Sequence, residues 1–485
     1  MVAPYAEALA RYAQVDRARV YVPGHAANRS AAPELAAFFG MDTLTRDVPP
    51  LLPGLDKGHN NPLDQAHELA AVAWGARRTW FLTNGASQGN RISALALASF
   101  RAGDAPVITQ RSAHSSFIDG IILAGLDPKF VLPSIDTRLG INHGVSVIAL
   151  ENALDRADGP KGVYLISPSY FGAVADIGAL SRVAHEHGVP LIVDAAWGAH
   201  FGFHDGLPEN PVRLGADLVI SSTHKLGGSL TQSAMLHLSD GPYADELEPL
   251  VERAFTLTQS TSASSLLLAS LDLARDTLEK GRVQIAASIA AADRMRAAIR
   301  GRRRFGIVSD TFEDFADIID ADPLRVSINV AQGGLHGHTV RDTLENAGIS
   351  FEIATDSCVV AVLGAGVVPD VERIVSALHD LEPETESPLG AEKVARALPA
   401  PGPLAMLPRT AFLASSEVVP IAEAAGRVST DSLAAYPPGI PNVLPGELIT
   451  KDVIQFLQRI AATPGGYVRG AVDPSLKTLR VVLRA

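Results

Sequence analysis

The chain has 485 residues, 47% of them hydrophobic and 19% charged, and a formal net charge of −12. Such a length buries a large core and divides into two or three domains, and such a composition describes a globular enzyme. The acidic balance opposes nonspecific binding to nucleic acid, and the single Cys358 excludes an internal disulfide or a cysteine-cluster metal site.

No apolar run is long enough to span a bilayer and no N-terminal signal pattern is visible, so no membrane partner is expected and the expected location is the cytoplasm. In chain order, Tyr5 to Gln14 predicts an alanine-rich helix, followed by a short strand and a turn at Pro23-Gly24-His25. Leu63 to Trp74 predicts a second helix with Leu69, Val72 and Ala73 on its buried face. Thr79 to Leu82 reads as a strand. The glycine-rich stretch Asn84 to Asn90 reads as a turn opening a helix from Arg91 to Ala102. Backbone amides at a helix start lack internal partners and suit a phosphate, although many α/β proteins use such a turn for packing alone.

Pro106 to Thr109 is the next strand, and His114 follows it in a loop, where a histidine is more often solvated or capping than catalytic. Gly162 to Ile166 predicts a strand, Gly178 to His187 a helix, and Val189 to Asp194 a buried strand ending in an acid. His200 and His204 have a spacing that suits one helical face, but no carboxylate stands at metal-site spacing, so a zinc reading is rejected. Ala216 to Ile220 ends a further strand, and Ser221-Ser222-Thr223-His224-Lys225-Leu226-Gly227-Gly228 leaves it. A lysine there, among hydroxyls and small residues, suits an amine that condenses with the aldehyde of pyridoxal phosphate (PLP), while the hydroxyls suit its phosphate. Alone, the stretch reads as readily as a solvated surface loop. Asp194, one strand earlier, supplies what that cofactor also needs: a carboxylate favouring a protonated pyridine nitrogen.

Glu246 to Leu257 predicts a helix, and Leu266 to Arg300 one long helix joining two domains. A smaller α/β unit follows, with strands at Pro323 to Val330, Ile349 to Ala354 and Ser357 to Leu363, and a helix from Gly337 to Ala347. Cys358 reads there as a small buried hydrophobe. Leu381 to Pro403 is the best linker, and the proline-rich run Tyr436 to Pro445 leads to Glu447, either a helix-capping carboxylate or a substrate contact.

Together these segments resemble the Orn/Lys/Arg decarboxylase family of PLP enzymes. The matching motifs include Pro23-Gly24-His25, Thr83 to Asn90, Arg111 to Ser115, Asp194 to His204, Ser222 to Gln232, Gln259 to Ser262, Pro408-Arg409, Tyr436 to Pro441 and Pro445-Gly446-Glu447. The resemblance implies an α/β, aspartate aminotransferase-like PLP fold with a mainly parallel sheet, a small α/β domain and a C-terminal α+β domain. The expected boundaries are an arm at 1–45, a PLP-binding domain at 46–300, a small domain at 301–385 and a C-terminal domain at 386–485. It further implies that Ala86, Ser87 and Ser222 face the phosphate, that His114 stacks on the ring, and that Ala196 lies beneath it.

Trp197 would wall the pocket, or equally pack the core. Ser260 would reach the phosphate of a neighbouring subunit, making a homodimer or higher homo-oligomer with shared sites. Glu447 would meet the distal cation of the substrate. The sequence departs from the family pattern at Ala26, Ala263 and Ser265, where Lys, Pro and an aromatic are usual. The expected reaction is α-decarboxylation of a basic L-amino acid, arginine or lysine before ornithine, with Lys225 and Asp194 serving PLP and His224 or Lys225 protonating Cα. The alternatives are an aminotransferase or lyase on the same fold, or a noncatalytic regulator.

Overall fold

The structure is a computed structural model that describes residues 2–383, 399–436, 441–462 and 467–484. Most of the expected linker, and Pro437 to Ile440 of the proline-rich run, lie outside the described residues.

Seven strands build the central sheet: β1 Arg78–Leu82, β2 Val107–Gln110, β3 Pro128–Val131, β4 Gly162–Ile166, β5 Leu191–Asp194, β6 Leu218–Ser221 and β7 Ala234–Leu238. Their order across the sheet is β1-β7-β6-β5-β4-β2-β3. Only β7 runs antiparallel to its neighbours. Every residue of β5 and β6 is buried, as in a parallel sheet covered on both faces. Ile92, Leu97, Phe117, Ile121 and Leu247 pack in one hydrophobic cluster, and Leu150, Leu154, Leu180 and Ala184 in another. Function in such a sheet gathers where the strands end at their carboxyl side.

The helices near the site are α1 Pro4–Gln14, α2 Pro62–Trp74, α3 Gly85–Ser99, α4 Ser115–Ala124, α5 Thr223–Leu226, α6 Ser265–Lys280 and α7 Arg282–Arg302. Helix α2 starts on a reciprocal cap between Asn61 and Asp64, has Pro62 in its first turn, and stops at left-handed Gly75. Its buried face keeps the expected Ala73 but not Val72. Ala66, Ala70, Ala71, Ala73 and Trp74 are buried, whereas Val72 is 74% exposed. Small alanines let α2 approach its neighbours closely, and that outweighs the hydrophobicity of one valine.

The single helix expected from Leu266 to Arg300 is two, α6 and α7, broken at Gly281. No strand forms between α1 and Pro23, and the strand expected from Ile349 shrinks to Ile353–Ala354. The glycine-rich stretch is already helical from Gly85. Gly89 serves packing there: a Cβ would stand 2.9 Å from the Ile220 side chain of β6.

The smaller sheet pairs Gly306–Ile307, Arg325–Asn329, Cys358–Val362 and Ile353–Ala354 in antiparallel order, with Cys358 buried. Beyond it, Ser416–Pro420 pairs with Thr478–Val482, and Leu433–Tyr436 pairs with both Pro441–Val443 and Tyr467–Arg469, alongside the helix Lys451–Ala462. Among the described residues, no helix is long and apolar enough to cross a membrane.

The N-terminal arm is tied down through buried polar groups. Asp272 of α6 accepts from the Tyr5 and Ala6 amides at 2.9 and 3.2 Å, capping the start of α1, and from Arg275 at 2.8 Å. Ser265, at the position where the family has an aromatic, donates to Arg46 O and accepts from the Val48 amide. Asp272→Ala removes the acceptor of the Tyr5 and Ala6 amides and one partner of the buried Arg275, which keeps its ion pair with Glu279. It should cost about 1–3 kcal/mol in chemical denaturation and speed hydrogen exchange over residues 4–14.

Candidate active site

Register alone brings the two principal groups together. Asp194, the last residue of β5, pairs with Ile220 of β6. Lys225 follows five residues later in the single turn of α5, at the same carboxyl edge. Both line a cavity of about 320 Å³.

The Asp194 carboxylate is 4% exposed. Its Oδ2 accepts from Tyr164 at 2.8 Å and from Asn90 at 3.0 Å, and its Oδ1 accepts from the Ala196 amide at 3.0 Å. A buried carboxylate needs that many donors. Tyr164 reaches it from β4, with its ring stacked on Phe117 at 3.5 Å, and Asn90 reaches it from α3. Neither was singled out from the sequence, because an apolar strand and a helix interior hide their polar ends.

Asn90 also donates to Ser116 Oγ at 2.9 Å, which lies 2.8 Å from His114 Nδ1. His114 is the N-cap of α4 and accepts from the Ser116 amide through the same nitrogen. Burial, aided by the charges of Lys225 and Arg469, holds its pKa below the usual value against the pull of Asp194. The ring is therefore neutral near pH 7, with Nε2 carrying its proton.

Lys225 is half-buried, and burial pushes its pKa down to about 8 against the attraction of Asp194. Its Nζ stands 3.7 Å from the Trp197 ring centroid, and the buried Arg325 guanidinium stands 4.3 Å from the same centroid. Trp197 thus walls the cavity rather than only filling the core. Burial and then Lys225 lower His224 likewise. Ala86, Ser87, Ala196, Ser222 and His224 line the cavity, together with Asn84 and Gly85 at the start of α3. Ser169, Tyr170 and Gln232 line it as well. Glu352, also missed from the sequence, lies near enough to raise the pKa of both Lys225 and Arg325.

Two expected site residues lie elsewhere. Ser260 is exposed and bonds to Ser262, outside this chain's cavity. Glu447 is a correction to the expected substrate contact. It is 2% exposed, with Oε1 2.5 Å from Arg111 Nη1 and Oε2 2.9 Å from Arg111 Nη2. Oε2 also accepts from the Leu444 amide, and Glu447 is not among the residues that line the cavity of Asp194 and Lys225. His200 is likewise spoken for, 3.0 Å from Asp322.

The depressed pKa of Lys225 is measurable. Labelling of Lys225 by an amine-reactive reagent, followed by peptide mass spectrometry, should rise through about pH 8 and then level off. Labelling of solvated lysines should keep rising towards about pH 10.

Comparison with known proteins agrees with this geometry. The family model of the Orn/Lys/Arg decarboxylase major domain matches residues 3–369, and that of the C-terminal domain matches residues 393–465. An arginine decarboxylase of Bacillus subtilis is 34% identical over 490 aligned positions, covering 99% of this chain and 97% of that protein. One from Bacillus anthracis is 33% identical, with the same coverage of each. Among solved structures, the lysine decarboxylase of Francisella novicida superposes with a TM-score of 0.83 at 21% identity, over 99% of this chain and 81% of the other. A serine palmitoyltransferase of Sphingomonas wittichii shares the fold more distantly, with a TM-score of 0.51 at 17% identity, over 72% of this chain and 81% of the other. The chain belongs to the Orn/Lys/Arg decarboxylase family, the decarboxylases of basic amino acids.

Proposed function

We propose that the chain decarboxylates arginine, with pyridoxal phosphate held in the cavity between Asp194 and Lys225. The observation that carries this reading is that one cavity joins a buried carboxylate, a lysine of depressed pKa and a helix start. The donor set suits that cofactor. Amides at the start of α3, with Ser87 and Ser222, would hold the phosphate, and Asp194 would pair with the pyridinium nitrogen. His114 would cover the ring with a neutral imidazole. Bound there, the cofactor supplies the electron sink for the charge left at Cα when CO₂ departs.

The chain's own groups supply orientation and protons. Lys225 Nζ exchanges a proton near neutral pH and is placed, with His224 beside it, to return one to Cα. Trp197 forms one wall of the cavity, beside Lys225. The full-length similarity to arginine decarboxylases supports arginine as the substrate. With Glu447 committed to Arg111, the exposed carboxylate of Glu352 is the better counter-charge for the guanidinium.

Ser260 would serve the phosphate of a partner subunit. Val20, Phe38, Phe39 and Leu51, which the single chain leaves 54–96% exposed, support a homo-oligomer that covers them. The proposed location is the cytoplasm.

Incubation with arginine, lysine and ornithine, measuring CO₂ and amine, tests the reading. Agmatine and CO₂ from arginine are expected, and a keto acid without CO₂ would overturn it. Lys225→Ala should abolish turnover. Glu352→Gln should raise KM for arginine about 10-fold or more with kcat little changed, the loss of one charge-assisted hydrogen bond.

A further inference from the structure

Arg111 lies three residues before His114, on the loop that leaves β2 for α4. That loop and helix are gripped at three points by the C-terminal domain. Glu447 binds Arg111 through a two-pronged fork, and Arg111 Nε also donates to Pro441 O at 3.1 Å. Leu444, 1% exposed, packs in the cluster that contains Phe117, Ile118 and Ile121 of α4. At the other end of α4, the short helix Pro408–Leu413 packs alongside, and Arg409 donates to Leu123 O at 3.4 Å.

The geometry points to Glu447 as a positioning residue: from the C-terminal domain it fixes Arg111, and through it the loop and helix that set the His114 imidazole in the cavity. A buried planar fork constrains both distance and angle. Arg111 is 2% exposed, so a shift of Glu447 moves the loop rather than only a side chain. His114 in turn is linked through Ser116 and Asn90 to Asp194, so the grip reaches the carboxylate as well. Arg469 of the same domain is close enough to depress the pKa of His114, which agrees with a domain seated over this corner. The C-terminal domain then contributes to the reaction without touching the reacting atoms.

This inference rests on the proposed cofactor site, and a double-mutant cycle in the full-length chain separates the two. Wild type, Glu447→Gln, His114→Ala and the double variant are compared for pyridoxal phosphate dissociation constant, visible circular dichroism of the bound cofactor, kcat and KM. Wild type that binds no cofactor and releases no CO₂ would defeat the proposed function. If wild type does both, Glu447→Gln should weaken cofactor binding and lower kcat by about 10- to 100-fold, with altered dichroism and a smaller change in KM. In the His114→Ala background the same substitution should add less than about 2-fold. Multiplicative effects, or unchanged affinity and dichroism in a folded Glu447→Gln protein, would overturn the inference. If Glu447→Gln does not fold, Arg111→Lys carries the same cycle, because it keeps the charge and loses the fork; coupling to His114 supports the inference and additivity overturns it.

Discussion

A carboxylate buried in an α/β core is costly unless both of its oxygens find donors, and the site is built around meeting that demand for Asp194. Tyr164 from β4, Asn90 from α3 and the Ala196 amide each come from a different part of the chain. Their convergence requires α3 to lie hard against β6, which Gly89 permits, and β4 to lie beside β5, which the sheet order provides. Once those elements are in place, Lys225 and the open amides of α3 arrive at the same rim without further adjustment. The network then runs outward through Ser116 to His114. The chemistry and the packing are one arrangement.

Much of this was legible in the sequence where the signal is local. The strands ending in Asp194 and preceding Lys225 are short apolar runs followed by polar residues. Parallel pairing with function at the carboxyl ends follows from their alternation with helices. The residues flanking Lys225 carry the same message twice, once as chemistry and once as family resemblance.

What escaped depends on long-range contacts. Tyr164 and Asn90 sit in segments whose neighbours are apolar or small, so nothing nearby reveals that they converge on Asp194 from 30 and 104 residues away. The family resemblance puts Glu447 in the substrate pocket, but its partner Arg111 lies 336 positions earlier. Val72 followed hydrophobic periodicity, yet α2 packs through alanines. Gly281 interrupts a sequence of otherwise strong helix formers, and one residue there decides between one helix and two.

The chain contains three tryptophans, and their surroundings differ in kind. Trp74 and Trp80 are sealed in the core, 1% and 2% exposed, whereas Trp197 forms a wall of the cavity with two cationic groups against its ring. The indole therefore serves as a built-in optical gauge. Any molecule that settles into the cavity and displaces the lysine from that ring will alter emission from one tryptophan and leave the other two as an internal standard.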